Sequence, residues 1–200
     1  MTAVSIKSGQ YRPDLLNLID HAEWTDKLPK ILDHTESAGE ILSSSADQLG
    51  LLTSVIVGPG TGDNMAAALG LGLKPGDIAM SLGTSGTVYA ISLVPSYDSS
   101  GSVAGYASAD GKYLPLVCTL NATRVTDTVA SWLGLDRDDM AVAALNAPVG
   151  ANGVTLVGHF DGERTPNRPD ATGTYMGLRN RTNKADLARA SYEGVVCGLL

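Results

Sequence analysis

A chain of 200 residues, 44% hydrophobic and 18% charged, can bury a real core, which excludes a disulfide-stapled mini-protein and a disordered tail. Its formal net charge of −7, with 14 Lys and Arg spread along the sequence, disfavours a nucleic-acid or anionic-membrane partner. The 23 glycines beside a single phenylalanine point to many tight turns, where backbone can approach a ligand.

Residues 1–53 are polar and read as mostly helical. They open on Met1-Thr2-Ala3-Val4, without the apolar stretch of a secretory signal, which fits a cytoplasmic protein. Pro13 suits the first turn of a helix, a second segment at 24–32 contains Pro29, and 43–50 reads as a capped short helix ending at Gly50. His21 and His34 lack metal-like spacing and read as solvated or capping residues.

The aliphatic run Thr53-Ser54-Val55-Ile56-Val57 then enters the turn Gly58-Pro59-Gly60-Thr61-Gly62, and Met65-Ala66-Ala67-Ala68-Leu69-Gly70 leaves it as a helix. Asp63 and Asn64 therefore lie where a strand ends and a helix begins, the place where open α/β sheets gather ligands. Asp63 alone has two readings, the N-cap of a helix starting at Asn64 or a general base. The Gly-x-Gly-x-Gly spacing is not a dinucleotide fingerprint, and no Walker lysine follows.

After Lys74-Pro75-Gly76-Asp77, strands at 78–82 and 87–93 form a hairpin across Gly83-Thr84-Ser85-Gly86. Both strands are nearly free of charge and are expected to be central. Their Gly, Ser, Thr and Pro content argues against a membrane span. The turn offers N–H and hydroxyl donors suited to phosphate oxygens, or it is an ordinary hairpin turn.

A second hairpin, 103–107 with 112–118, turns at Asp110-Gly111. Cys118 and Cys197 belong to no cluster, so neither a disulfide framework nor a zinc site is expected. Asn121-Ala122-Thr123 matches a glycosylation pattern of the kind that arises by chance. Val125, Val129, Trp132 and Leu133 recur at helical spacing up to Gly134, and Asp136 and Asp139 open a helix that ends before Pro148.

A strand at 154–157 leads to Gly162-Glu163-Arg164-Thr165-Pro166, where Glu163 and Arg164 either satisfy buried neighbours or contact a substrate. Asn183 and Asp186 begin a last helix, which runs to Leu200 without a polar cap, as though the sequence were cut inside it. Lys112, Arg124 and Arg137 form no anion-binding cluster.

Four stretches in order, Glu36-Ser37-Ala38-Gly39, Gly60-Thr61-Gly62-Asp63-Asn64, Ser81-Leu82-Gly83-Thr84-Ser85-Gly86-Thr87 and Gly162-Glu163-Arg164-Thr165-Pro166, resemble the FGGY family of carbohydrate kinases. The resemblance runs from Trp24 to the C-terminus and favours the members that act on xylulose. It implies an α/β, actin-like ATPase or ribonuclease H-like fold, here incomplete, with a mixed sheet and flanking helices. Residues 1–62 would be the end of the sugar-binding N-terminal domain, and 63–200 the first part of the nucleotide-binding C-terminal domain.

By the same resemblance Asp63 is the catalytic base with Asn64 beside it toward the substrate, and Gly83, Thr84, Ser85 and Gly86 meet nucleotide phosphates. It brings ATP and Mg²⁺, with no metal ligand in this stretch, a small-molecule sugar (D-xylulose or a related ketose or polyol) as partner, and a homo-oligomer. The family's metal-associated phosphate loop, sugar wall and adenine-holding segment have no counterpart in these residues, so little kinase activity is expected of them alone. A non-catalytic nucleotide-binding remnant and an actin-like ATPase are the alternatives.

Overall fold

The computed structural model describes residues 4–19, 24 and 26–200. It divides into two compact units, one holding the described residues up to Asp77 with Ala90–Tyr97 and Gly105–Pro115, the other Ile78–Tyr89, Asp98–Ala104 and Leu116–Leu200.

The first unit contains α1 (Pro13–Leu16), β1 (Gly39–Glu40), α2 (Ser43–Leu49), β2 (Ile56–Val57) and α3 (Asp63–Gly70). The mostly helical reading of 1–53 is overturned: α1 is one turn, and no helix occupies the described residues between it and α2. Local polar bonds compete with helix here, since Asp33 Oδ1 accepts from both Thr35 N–H (3.1 Å) and Thr35 Oγ1 (3.0 Å). Pro29 further disfavours a helix interior. His21 lies outside the described residues, whereas His34 Nδ1 sits 2.9 Å from Asp33 Oδ1.

Helix α2 closes at Gly50 as expected, but its N-cap is Leu42 and no side chain caps it, because Ser43 is already helical. Strands β1 and β2 pair antiparallel, Gly39 opposite Val57 and Glu40 opposite Ile56. Ile56 and Val57 point to opposite faces and both are exposed, so the ribbon is uncovered on each side.

A four-stranded sheet is ordered β3 (Ile78–Leu82), β4 (Gly86–Ala90), β6 (Tyr113–Thr119), β5 (Ala104–Ala107). Strands β4 and β6 run antiparallel with Gly86 opposite Thr119 and Tyr89 opposite Leu116. The expectation that both strands of the first hairpin are central fails for β3. It is an edge strand with Ile78 69% exposed, because β6 takes the other side of β4. Lack of charge records an apolar edge here, not a central position.

The second unit's core gathers Val125 and Val129 of α4 (Thr123–Leu133), Met140 of α5 (Arg137–Leu145), Leu156 of β7 (Thr155–Val157) and Ala188 of α6 (Lys184–Cys197). Trp132 is not in that core. It is 63% exposed, its ring centroid 5.1 Å from that of Phe160. Strand β7 pairs antiparallel with β8 (Thr174–Met176), a three-residue strand too short for sequence alternation to reveal.

The acidic helix starts behave as read. Asp136 Oδ1 accepts from Asp139 N–H at 2.8 Å. Asn183 Oδ1 accepts from Ala185 N–H (2.8 Å) and Asp186 N–H (3.2 Å), and Asp186 Oδ2 accepts from Asn183 N–H (3.0 Å), a reciprocal capping box. Asn183→Ala is therefore expected to lower stability by about 1–2 kcal/mol, read as a lower urea midpoint with an unchanged slope. Helix α6 ends at Cys197 rather than running to Leu200. Gly194 and Gly198 weaken the last turn, and Leu199 folds inward, buried beneath Gly86.

Candidate functional site

Asp63 is the first residue of α3, and the cap position before it is Gly62. The N-cap alternative is thus not how the helix is built: Asp63 Oδ1 accepts from the N–H of its own neighbour, Asn64, at 2.8 Å, and lies 3.3 Å from Asn64 Nδ2. Both contacts use one oxygen, and the carboxylate is exposed. Met65 and Ala68, buried on the inner face of α3, fix the helix beneath it. An exposed carboxylate with an oxygen to spare can accept a proton from a hydroxyl brought to it.

In the second unit, the Gly83–Gly86 turn is fastened by its carbonyls. Gly83 O accepts from Thr123 N–H (2.9 Å) and Thr123 Oγ1 (2.8 Å), and Thr84 O accepts from Ala122 N–H (3.2 Å). Inside the turn, Gly83 N–H donates to Ser85 O at 3.0 Å. The N–H groups of Thr84 and Ser85 donate to no acceptor among the described residues, and both side chains are exposed. Carbonyls tied down beside spare N–H and hydroxyl donors suit an anion.

The turn is rooted in a buried polar cluster. Glu163, 3% exposed, accepts from Leu120 N–H (2.6 Å), Asn121 Nδ2 (2.9 Å) and Arg164 N–H (2.7 Å). Burial pushes the Glu163 carboxyl up, but the bonds from Asn121, Leu120, Arg164 and Thr165 outweigh it and hold it below the usual carboxylate range. Asn121 Nδ2 also donates to Gly162 O at 2.7 Å, and Arg164 Nη1 reaches Cys118 Sγ at 3.8 Å. Of the two readings of Glu163, the satisfaction of buried neighbours is the one these contacts express. A cavity of about 370 Å³ adjoins the cluster, lined by Thr119, Asn121, Leu156, Glu163 and Gly194 among others.

The sequence marks Asn121 and Thr123 only by a chance glycosylation pattern. Their position between the end of a strand and the start of a helix was the available signal. Among the described residues no three His, Cys, Asp or Glu side chains gather as metal ligands.

Residues 78–199 match the C-terminal domain of the FGGY family of carbohydrate kinases, to which the chain belongs. It has their actin-like ATPase fold, with mixed helices and sheets. The structure of xylulose kinase from Bifidobacterium adolescentis matches 98% of this chain and 41% of its own, at TM-score 0.85 and 40% identity. Glycerol kinase from Plasmodium falciparum, at 17% identity and TM-score 0.79 over 98% of this chain and 40% of its own, shares the fold.

In sequence the chain is similar to xylulose kinase from Streptomyces rubiginosus, 47% identical over 173 residues, covering 86% of this chain and 34% of the relative. Xylulose kinase from Streptomyces coelicolor is 48% identical over 174 residues, again 86% of this chain and 34% of the relative. The chain thus spans about a third of the length of the curated relatives it matches.

Proposed function

We propose that this chain is a segment of an ATP-dependent sugar kinase that phosphorylates D-xylulose to D-xylulose 5-phosphate. The observation that carries the reading is the Gly83–Gly86 turn, its carbonyls tied to residues 122–123 and two N–H groups without acceptors among the described residues, in a chain 47% identical over 173 residues to a xylulose kinase. Residues 1–62 would belong to the sugar-binding domain and 63–200 to the nucleotide-binding domain of a cytoplasmic, homo-oligomeric enzyme. No helix among the described residues is long and apolar enough to cross a membrane.

ATP supplies the phosphoryl group. Thr84 and Ser85 hold its phosphates with their spare N–H and hydroxyl groups, Gly83 and Gly86 flank them without a Cβ to block the approach, and Asp63 takes the proton of the attacking hydroxyl while Asn64 orients the sugar. Mg²⁺ needs few protein ligands when phosphate oxygens and waters complete its shell, which is compatible with the absence of a ligand cluster among the described residues.

ADP release in the presence of MgATP and D-xylulose tests the reading. The 200 residues alone are expected to stay at background. Substituted for the corresponding region of the Streptomyces rubiginosus relative, they are expected to give release that depends on the sugar. Robust turnover by the chain alone, or release indifferent to the sugar, contradicts the proposal.

A further inference from the structure

The bonds around Glu163 and those around the Gly83–Gly86 turn meet on four consecutive residues. Leu120 and Asn121 donate to Glu163 at 2.6 and 2.9 Å, and Asn121 is pinned again by Gly162 O at 2.7 Å. The next two residues hold the turn, Ala122 through Thr84 O at 3.2 Å and Thr123 through two bonds to Gly83 O at 2.9 and 2.8 Å. Ala122 has φ −128° and ψ −109°, outside the regular helix and strand regions. Such a backbone persists only where its surroundings impose it. Those surroundings include the Glu163 and Gly162 contacts of the two preceding residues, 41–43 residues away in sequence.

We propose that Glu163 is a positioning residue that fixes the Gly83–Gly86 turn through residues 120–123 and so sets the affinity of the turn for nucleotide phosphates. The proposal rests on the reading of that turn as a phosphate site. Glu163 acts through the backbone it holds. A carboxylate is required because it accepts on both oxygens. Glutamine would present an amide NH₂ to Asn121 or to the Leu120 and Arg164 N–H groups, and Asn121 cannot turn over without giving up Gly162 O. The depressed titration of Glu163 agrees, since it keeps both oxygens as acceptors at neutral pH.

Amide exchange on the hybrid in which these residues replace the corresponding region of the Streptomyces rubiginosus relative, with MgATP as the phosphate probe, tests this in the unsubstituted hybrid (wild type), Glu163→Gln and Asn121→Ala. In Glu163→Gln, exchange at Ala122 and Thr123 is expected to accelerate roughly 10–100-fold, the equivalent of one or two charge-assisted bonds, while Ala188 and Ser191 in α6 exchange as in wild type. Asn121→Ala, which spares the carboxylate, is expected to act in the same direction. The response of the Gly83–Gly86 amides to MgATP should weaken in both variants.

Unchanged exchange at Ala122 and Thr123, or equal acceleration throughout α6 in both variants, overturns the positioning role. The latter makes Glu163 a residue of general stability. A wild-type turn that ignores MgATP overturns the phosphate reading and with it the claim on affinity, while the exchange pattern decides the positioning role separately.

Discussion

Asp63→Asn is expected to lower kcat for sugar phosphorylation about 10²–10⁴-fold, the usual contribution of a positioned general base. The substitution is nearly isosteric. An asparagine oxygen can still accept the Asn64 N–H that Asp63 Oδ1 accepts at 2.8 Å, so the start of α3 survives. Ionisation of the carboxylate is what disappears, and with it the capacity to take a hydroxyl proton. In the proposed reaction Asp63 meets the sugar hydroxyl, and Thr84 and Ser85 meet the phosphates, so KM for ATP should hold. Steady-state kinetics on the Streptomyces hybrid, with circular dichroism as the folding control, makes the comparison. Unchanged kcat in a folded variant removes Asp63 from the chemistry.

Gly162→Ala is expected to be the most damaging single methyl group near the site. Gly162 has φ +81°, and a Cβ there would stand 2.2 Å from Pro169 O and 2.8 Å from Pro169 C, backbone atoms that cannot step aside. Left-handed backbone and overpacking together give about 2–5 kcal/mol, read as a fall in the urea midpoint. The damage also reaches the site, because Gly162 O anchors Asn121. Gly134→Ala is the control. Its φ is +67° but nothing lies within 4 Å of the added atom, so only the backbone cost of about 1–2 kcal/mol applies. Equal losses at the two positions would show that the approach of Pro169 is not what demands glycine.

Local chemistry was the legible part of this fold. Asp136, Asn183 and Asp186 announce helix starts because their side chains reach N–H groups two or three residues away, and Gly134 announces a stop by its left-handed backbone. The Asp110-Gly111 turn placed β5 and β6 for the same reason. The structure departs from that reading in two ways, one where a neighbour distant in sequence decides and one where local polar bonds compete with a helix. Strand β3 looks central by composition, but its place depends on where β6 pairs. Residues 24–42 carry helix-compatible residues, but Asp33 and Thr35 spend their polar groups on a turn.

The candidate site divides along the same line. Asp63 and the Gly83–Gly86 turn stood out because glycine spacing and an acid at a strand-to-helix junction are local signals. Asn121 and Thr123, which join Glu163 to the turn, did not. Their partners lie 40 or more residues away, and no short pattern encodes such a contact.

Phosphorus NMR on the hybrid kinase incubated with MgATP and D-xylulose follows the transferred phosphoryl group itself. A new sugar phosphomonoester signal is expected to rise as ATP is converted to ADP, and to be lost in Asp63→Asn. Accumulation of inorganic phosphate without a sugar phosphate, or a phosphomonoester signal undiminished in Asp63→Asn, would contradict it.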